Sequence, residues 1–263
     1  MANKKQRINK LTNIIKSRNG SSIKDLAKEL SVSEMTIRRD IKILEENNII
    51  EVFHGSVVYN PSPTNPTATN DEYKLEENLG LMYKQKDLIG RLAAGLVKKD
   101  DMIIIDTGTT TDKLSYHLDA NKECTALVFS SNNFFNLTKK EKVKILLAGG
   151  LFHKESMMFE SQESLRMIEN IRANKVFLSA AGLHKDLGIT CANTYELATK
   201  KTIIKNSMEV ILLIDSSKFG QVKSVHFADL RDIDTIITDE NLDSKWKDYL
   251  ETMDINLVIA KRT

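Results

Sequence analysis

The chain has 263 residues, of which 41% are hydrophobic and 28% charged, and its formal net charge at pH 7 is +2. This length allows one large domain or two ordinary domains. No stretch approaches the length of a membrane span, and no apolar segment follows the N-terminal residues, so we expect a cytoplasmic protein with no membrane partner. The two cysteines and five histidines lack metal-ligand spacing, and we expect no metal site and no cofactor.

Positive charge is concentrated at the N-terminal end of the chain. Residues 1–42 carry eleven Lys or Arg and four Asp or Glu, whereas the remaining residues have a slight acidic excess. A basic N-terminal region on a mildly acidic body is typical of a protein that binds DNA through its head, because the cations neutralise phosphates.

The N-terminal region contains three predicted helices. An apolar stripe predicts the first from about Lys4 to Ser17, and the second is predicted from Ile23 to Leu30 after Ser22, which begins a capping-box-like pattern. Ser33 is a favourable N-cap for the third helix, which ends near Glu46. Two short amphipathic helices separated by three residues are typical of a helix-turn-helix motif.

The third predicted helix has one apolar side and one polar side. Ile37, Ile41 and Leu44 have the spacing of a buried face, and Thr, Arg and Lys side chains occupy the other face. Those side chains can read base edges or hold phosphates in a major groove. An ordinary basic surface helix is the alternative, but it would not require the preceding helix, the turn and the cap together. The candidate DNA-binding residues are Ser22, Ser33, Thr36, Arg38, Arg39, Lys42 and His54.

A hairpin and a linker follow this motif. Residues 49–59 are predicted to form a β-hairpin with His54 near its turn, which makes the motif a winged one. All three prolines lie within residues 60–70, a segment with almost no large apolar side chain, and this composition predicts a semi-rigid linker. We therefore predict a DNA-binding domain over residues 1–59 and a second domain over residues 71–263.

The second domain alternates helices with continuous apolar strands. Such strands are typical of a parallel sheet covered on both faces, so we predict a doubly wound, mostly parallel α/β domain. The predicted helices cover residues 81–98, 112–118, 133–140, 161–172, 194–207 and 243–253, and the predicted strands cover residues 102–105, 125–129, 143–148, 175–179, 209–214, 235–238 and 256–259.

Small and polar residues follow several of these strands. In open α/β sheets, ligands bind beyond the carboxyl ends of the strands. The segment Asp106–Thr111 joins a glycine to three threonines at a helix start, which favours an anion site, although a capped helix start is the alternative. The wider set of strand-end candidates for a polar pocket comprises Asp106, Thr107, Gly108, Thr109, Thr110, Thr111, Ser130, Asn132, Gly149, Gly150, Gly182, Asp215 and Lys218. By spacing alone, Glu196 and Lys200 read as a surface ion pair.

Taken together, these residues resemble the DeoR family of bacterial transcriptional regulators over nearly the whole chain. Two runs are specific: Thr36-Ile37-Arg38-Arg39-Asp40 and, about 175 residues later, Asp215-Ser216-Ser217-Lys218-Phe219-Gly220. His54-Gly55, Asp106–Thr111, Gly149-Gly150 and Gly188-Ile189-Thr190 with Glu196 and Lys200 complete the match.

The resemblance implies a repressor of a sugar or polyol catabolic operon. It implies a C-terminal sensor domain similar to ribose-5-phosphate isomerase, a phosphorylated sugar or related metabolite as effector, operator DNA as partner and a homodimer or homotetramer. Carried over to this chain, Asp106–Thr111 would hold the phosphate or adjacent hydroxyls, and Lys218 would face the ligand. Glu196 and Lys200 would become pocket residues.

Three departures from the family pattern bear on function. Gly55-Ser56 stands where the family often has Gly-Gly, and Glu51 stands where it often has Arg, so the wing would contribute less to DNA affinity. Ser130–Asn133 aligns with the family's Thr-Asn-Ser in two registers, which leaves the individual roles open.

Two competing functions stand beside the repressor. One is an isomerase-like or deaminase-like enzyme with a DNA-binding head, and the other is a sensor that has lost its ligand.

Overall fold

The computed structural model describes residues 7, 8, 10–12, 14, 15, 21–46, 50–53, 56–59 and 82–261. The chain divides into two compact units, and among these residues the division falls between Tyr83 and Lys84. The predicted linker over residues 60–70 and the candidate His54 lie outside the described residues. None of the helices in the described segments is long and apolar enough to cross a membrane.

The N-terminal unit is a winged helix-turn-helix. Residues 7, 8, 10–12, 14 and 15 are helical, as the apolar stripe predicted. The two helices of the motif are α1 (Ile23–Glu29) and α2 (Glu34–Glu46), and the strands are β1 (Ser21–Ser22), β2 (Ile50–Phe53) and β3 (Ser56–Tyr59). β3 pairs antiparallel with both β1 and β2. The predicted hairpin is therefore confirmed, and β1 is an additional strand.

The helices of this unit pack around one apolar cluster. The side chains predicted for the inner face of α2, Ile37, Ile41 and Leu44, are all buried there, together with Leu11 and Leu26. Each such side chain contributes about 1.5–3 kcal/mol on burial. The same packing holds the opposite side of α2 towards solvent, which determines what that helix can bind.

The C-terminal unit is built on a seven-stranded sheet with the strand order β15-β14-β12-β9-β4-β5-β6, in which all neighbours are parallel. These strands are β4 (Met102–Ile105), β5 (Cys124–Val128), β6 (Val143–Leu147), β9 (Ala173–Ser179), β12 (Ser207–Leu213), β14 (Thr235–Asp239) and β15 (Asn256–Ala260). The helices are α3 (Tyr83–Gly95), α4 (Thr109–His117), α5 (Ser131–Leu137), α6 (Gln162–Glu169), α7 (Leu197–Lys205) and α8 (Ser244–Glu251).

Both faces of this sheet are covered, as the continuous apolar strands predicted. Along β4, Ile104 belongs to one buried cluster, whereas Ile103 and Ile105 belong to the other. Alternate side chains of a strand point to opposite faces, so a strand that is apolar throughout needs a packed layer on each side. The doubly wound α/β class is therefore confirmed.

Two small sheets were not predicted. β7 (Leu151–His153) and β8 (Met158–Glu160) form a hairpin, and β10 (Gly182–His184), β11 (Gly188–Cys191) and β13 (Val225–Ala228) form an antiparallel sheet. β7, β8 and β10 have only three residues each, fewer than a strand pattern needs. Their pairing depends on tertiary contacts that the local sequence does not encode.

Two predicted helix starts are wrong in a way that affects the candidate site. α4 begins at Thr109 rather than Asp112, because Gly108, with φ 148°, is the last residue outside helical geometry. α5 begins at Ser131 rather than Asn133, after an extended Ser130. In addition, the helix predicted over residues 194–207 is a 3₁₀ turn, Thr194–Glu196, followed by α7. The threonine run and Ser131 thus lie in first helical turns.

Candidate functional site

The recognition helix α2 presents one basic face to solvent. Ile37 and Asp40 on its inner side are completely buried, whereas Arg38, Arg39 and Lys42 are exposed. Arg38 lies 3.8 Å from the carboxylate of Glu34, one turn earlier, in an ion pair between two well-exposed side chains. Such a pair is worth little in water, so the guanidinium can exchange it for DNA at small cost.

The serines among the DNA-binding candidates act as helix caps. Ser22 Oγ accepts a hydrogen bond of 3.0 Å from the backbone N–H of Asp25, and Ser33 Oγ accepts one of 3.2 Å from Thr36. The side chains of Ser33 and Thr36 are also hydrogen-bonded, at 2.9 Å. These three residues therefore set the start of each helix, which fixes how the basic face is presented.

An ion pair anchors α2 to the preceding helical residues. Both Asp40 carboxylate oxygens accept hydrogen bonds from the Arg7 guanidinium, at 2.6 and 3.1 Å. Asp40 was part of the motif that resembled the family, but Arg7 was not singled out from the sequence. A partner 33 positions away in the chain leaves no local signal.

In the C-terminal unit, the N-terminus of α4 has free backbone donors. Gly108 caps the helix without a side-chain hydrogen bond, and a Cβ at this position would lie 2.6 Å from Ser179 Oγ. The first backbone bond of the helix runs from Asp112 N to Gly108 O. Within the described part of the chain, the N–H groups of residues 109–111 have no acceptor. Together with the helix dipole, they form a site suited to an anion.

The threonine hydroxyls at this site divide into two kinds. Thr107 donates to Ser156 O at 2.8 Å and Thr111 donates to Gly108 O at 3.0 Å, so both hydroxyls hold the loop. Thr109 and Thr110 are also buried, but their hydroxyls make no hydrogen bond to any described residue. Those two hydroxyls are available to a ligand.

Unpartnered polar atoms also lie at the start of α5. Ser130 Oγ, Ser131 Oγ and Asn132 Oδ1 are buried and lack a hydrogen-bond partner within the described residues. Buried polar groups of this kind are rare, and each requires an explanation such as a missing ligand. We call these three side chains, with Thr109 and Thr110, the polar cradle.

The two halves of the polar cradle are held side by side. β4 and β5 are adjacent in the sheet, and Asn133 Nδ2 donates to Asp106 O at 3.0 Å. Asp112 on α4 accepts hydrogen bonds from the Nδ2 atoms of Asn132 and Asn136, at 3.1 and 3.0 Å. Since a carboxylate is only an acceptor, this contact fixes the amide of Asn132 with Nδ2 on Asp112 and Oδ1 unpaired.

A buried ion network lies below the polar cradle. Lys200 Nζ lies 2.5 Å from Asp106 Oδ2 and 3.5 Å from Glu196 Oε2, and it donates to Ser179 O at 3.1 Å. Asp106 also accepts hydrogen bonds from the backbone N–H groups of Ser179, at 2.9 Å, and Thr107, at 2.8 Å. The reading of Glu196 and Lys200 as a surface ion pair is therefore wrong, because 5% and 1% of these residues are exposed.

The charges in this network shift one another's ionisation. Burial by itself would lower the pKa of Lys200, but the negative charges of Asp106 and Glu196 outweigh it, and the pKa is raised. Burial raises the pKa of Glu196, and the charge of Lys200 only partly opposes this effect. Lys200 is thus held as a cation that compensates the carboxylate at the start of the loop.

The three glycine candidates differ in how closely their surroundings approach them. Gly149 O accepts hydrogen bonds from Ser161 Oγ, at 3.1 Å, and from Ser164 Oγ. Gly150 has φ 141°, and a Cβ there would collide with Glu160 O. Gly182 O accepts a hydrogen bond from Thr190 Oγ at 3.3 Å. A Cβ at Gly182 would also collide with backbone, at Gln221 O, whereas a Cβ at Gly149 would meet nothing within 4 Å, so only Gly150 and Gly182 require glycine for close packing.

Lys218 differs from Asp215 in what it contacts. Asp215 is buried and accepts hydrogen bonds from Ser217 N, at 3.1 Å, and Ser217 Oγ. Lys218 is partly exposed, and its ammonium group has no partner among the described residues. Ser217 also lines a cavity of about 350 Å³ that extends to Trp246, beyond β12 and β14. This cavity lies at the same rim but does not include the polar cradle.

Sequence reasoning missed Asp112, Ser131, Ser156 and Ser179 as members of the site. Ser131 lay within a segment whose register was open, and Asp112 had the pattern of an ordinary helix cap. Ser156 and Ser179 both form hydrogen bonds with Thr107. Ser156 O accepts one of 2.8 Å from Thr107 Oγ1, and Ser179 Oγ donates one of 2.5 Å to the backbone O of Thr107. No group of three or more potential metal ligands occurs within the segments that the structure describes.

Comparison with known proteins identifies both units. The model of the DeoR-like helix-turn-helix domain matches residues 7–63, and that of the DeoR C terminal sensor domain matches residues 81–240. The chain is 30% identical over 255 residues to the deoxyribose operon repressor of Escherichia coli K12, covering 97% of this chain and 98% of that protein. It is 28% identical over 257 residues to the transcriptional repressor GlcR of Bacillus subtilis, covering 98% and 96%.

Among solved structures, ribose 5 phosphate isomerase A from Neisseria gonorrhoeae superposes with a TM-score of 0.37 at 17% identity, over 52% of this chain and 53% of that one. The family models cover the winged helix-turn-helix and the whole polar cradle, and the curated relatives are named repressors rather than enzymes. The chain therefore belongs to the DeoR family of transcriptional regulators, with a DNA-binding helix-turn-helix domain followed by a C-terminal sensor domain.

Proposed function

We propose that this regulator represses a sugar or polyol catabolic operon and that a phosphorylated sugar or polyol, bound at the polar cradle, changes its affinity for operator DNA. The named relatives repress a deoxyribose operon or are transcriptional repressors, which supports this class of target. The basic face of α2 supports major-groove binding through Arg38, Arg39 and Lys42.

The single observation that carries the effector half is the set of buried polar atoms at Ser130, Ser131 and Asn132 that lack a hydrogen-bond partner among the described residues and lie beside the N-terminus of α4. The backbone N–H groups and the hydroxyls of Thr109 and Thr110 are donors that match phosphate oxygens. A helix N-terminus with such donors favours an anion without a lysine.

The orientation of Asn132 adds a second chemical requirement. Asp112 engages Nδ2 of that amide, so the unpaired Oδ1 can only accept a hydrogen bond. A phosphate oxygen cannot donate to it when ionised, whereas a sugar or polyol hydroxyl can. The polar cradle therefore favours a ligand that carries a hydroxyl close to its phosphate.

The remaining effector candidates take different roles in this proposal. Lys218 supplies a cation that has no partner among the described residues, which suits it to a second anionic or polar group of the ligand. Asp106, Glu196 and Lys200 position the loop, because their charges are already compensated within the network. The glycines, Thr107, Thr111 and Asp215 likewise shape the rim through the contacts described above.

A homodimer or homotetramer completes the proposed assembly. Helix-turn-helix proteins of this kind place two recognition helices on half-sites about 34 Å apart, or a multiple of that distance. An effector that alters the spacing of the recognition helices between subunits would alter operator affinity. Analytical ultracentrifugation of the full chain, alone and with duplex DNA, measures the oligomeric state.

The effector proposal is tested by thermal-shift measurements of the full chain against phosphorylated sugars and polyols, each paired with its unphosphorylated form and with inorganic phosphate. A ligand at 100 times its dissociation constant stabilises a protein by about 2.7 kcal/mol, which raises the melting temperature measurably. We expect a compound that requires both its phosphate and a neighbouring hydroxyl.

A matched pair of variants locates the site. Thr109→Val with Thr110→Val removes both free hydroxyls and should abolish the shift, whereas Thr202→Val, which removes an exposed hydroxyl bonded to Ala198 O, should preserve it. Stabilisation that survives the double substitution would move the ligand away from the polar cradle. The complete absence of a phosphate-dependent hit would overturn the effector half while leaving DNA binding intact.

A further inference from the structure

Met35 is an exposed apolar side chain on the recognition helix. It belongs to the first turn of α2, and 71% of the residue is exposed. Exposed methionines need no explanation by themselves, since much of every protein surface is apolar. The position of Met35 on the recognition helix, however, does require an explanation.

Met35 lies at the N-terminal end of the side of α2 that the core leaves free. Met35, Arg38, Arg39 and Lys42 have the spacing i, i+3, i+4 and i+7, which places them along one face of a helix. All four are exposed, whereas Ile37 on the inner face is completely buried. The exposed face is therefore a basic stripe that has an apolar side chain at its N-terminal end.

That end of a recognition helix is the part that reaches base edges, while residues further along contact the backbone more often. The floor of the major groove offers one apolar group, the C5-methyl of thymine. A flexible thioether side chain can pack against a methyl group in varied geometries. A phosphate, by contrast, offers nothing that a methionine side chain can bind.

We infer that Met35 reads a thymine methyl group in the operator and is a specificity-determining residue of this regulator. This inference rests on the proposed DNA-binding function. Arg38 and Arg39 supply hydrogen bonds to guanine or phosphate, and Met35 supplies the apolar contact that separates thymine from cytosine at a neighbouring step. The three side chains together then read more than one kind of base.

The test uses the tightest duplex that the full chain selects from a randomised DNA library. Each thymine of that duplex is replaced in turn by deoxyuracil, which keeps base pairing and removes only the C5-methyl group. We expect a loss of affinity of about fourfold at one position in each half-site, the equivalent of ~0.8 kcal/mol for one buried methyl group. Fluorescence anisotropy at constant salt measures the dissociation constants.

Two variants decide the assignment. Met35→Ala should bind the thymine and deoxyuracil duplexes equally, whereas Met208→Ala, at a residue that is 81% exposed in the C-terminal unit, should keep the fourfold preference. A preference that persists in Met35→Ala, or a wild-type chain that is insensitive at every thymine, would overturn the inference. Failure to select any specific duplex would instead contradict the proposed DNA-binding function itself.

Discussion

Lys200 shows how a single residue can support the polar cradle, the proposed binding site, without lying on its surface. Its ammonium group is completely enclosed and compensates Asp106, whose carboxylate organises the loop that leads into α4. The loop could not keep an uncompensated carboxylate in this position, because burying an unpaired charge is costly. The geometry of the polar cradle thus depends on an ion pair beneath it.

Replacing this lysine should therefore destabilise the fold. Lys200→Met leaves Asp106 buried without its cation, and we expect the free energy of unfolding to fall by about 3–5 kcal/mol. Urea denaturation followed by circular dichroism measures the change. The double variant with Asp106→Asn removes both charges and should recover part of the loss. Equal destabilisation in the single and double variants would argue against the ion pair as the cause.

The ion pair between Lys200 and Asp106 also predicts how the stability of the fold depends on pH. Burial lowers the pKa of Lys200, but the neighbouring carboxylates raise it above its usual value of 10.5. A group whose pKa is higher in the folded state than in the unfolded state contributes its full stabilisation of the fold at pH values below the unfolded-state pKa. It loses that contribution as the pH rises through the folded-state pKa. The difference in stability between wild type and Lys200→Met should therefore shrink as the pH rises above about 10.5.

At the scale of elements, α2 is held in place by contacts that do not involve its outer face. Its inner side is apolar, Ser33 caps its first turn, and Asp40 is bound by Arg7. Because these contacts leave Arg38 and Arg39 exposed, substitutions there can be tested for DNA binding with little effect on folding.

Removing one of these guanidinium groups should weaken operator binding. If the side chain contacts a base, Arg38→Ala or Arg39→Ala should each weaken the free energy of operator binding by about 1–3 kcal/mol. The ratio of the variant and wild-type dissociation constants on the selected duplex measures this change. Arg91→Ala is the matched control, since Arg91 is an exposed arginine on a helix of the C-terminal unit, paired with Asp87 one turn earlier at 3.6 Å. Unchanged binding by both recognition-helix variants would remove these residues from the interface.

The start of α4 is another feature that belongs to the element scale. The sequence predicted a helix from Asp112, with the three threonines at its start as part of an anion site. In the fold, Gly108 approaches Ser179 of the neighbouring strand, and the helix begins immediately afterwards. The three threonines therefore form the first turn of α4, where their backbone N–H groups have no acceptor among the described residues.

At the scale of the whole molecule, a sensor and a DNA-binding unit in one chain are useful only if their binding equilibria are coupled. Thermodynamic linkage makes this coupling reciprocal. If the effector changes the affinity of the protein for the operator by some factor, the operator changes the affinity of the protein for the effector by the same factor. We expect a factor of about 5–150, the usual range for such coupling. Titrations of effector with and without saturating duplex, and of duplex with and without effector, give the two factors independently.

A variant separates coupling from binding. Thr109→Val with Thr110→Val should remove the effect of the ligand on operator affinity but leave the operator affinity of the free protein unchanged, since neither residue belongs to the N-terminal unit. Loss of operator binding by that variant without ligand would mean that the substitutions damage the protein rather than the site.

The sequence by itself determined the winged helix-turn-helix, the α/β class of the C-terminal unit and the strand ends at which a ligand site would form. These follow from periodicity, capping residues and continuous apolar strands, all of which are local patterns. Even the exposed side of α2 followed from the spacing of Ile37, Ile41 and Leu44.

Only the tertiary structure decided which polar residues are satisfied and which are free. The sequence pattern made Asp106 and Thr109 strand-end candidates, whereas the spacing of Lys200 favoured a surface ion pair and only the family resemblance made it a pocket candidate. Hydrogen bonds across long distances in the chain, such as Lys200 to Asp106, satisfy some of these groups, whereas the Thr109 hydroxyl and Asn132 Oδ1 have no hydrogen-bond partner among the described residues. A buried polar group is costly unless it is paired, so these long-range pairings, which local sequence does not encode, separate supporting residues from the ligand-facing candidates.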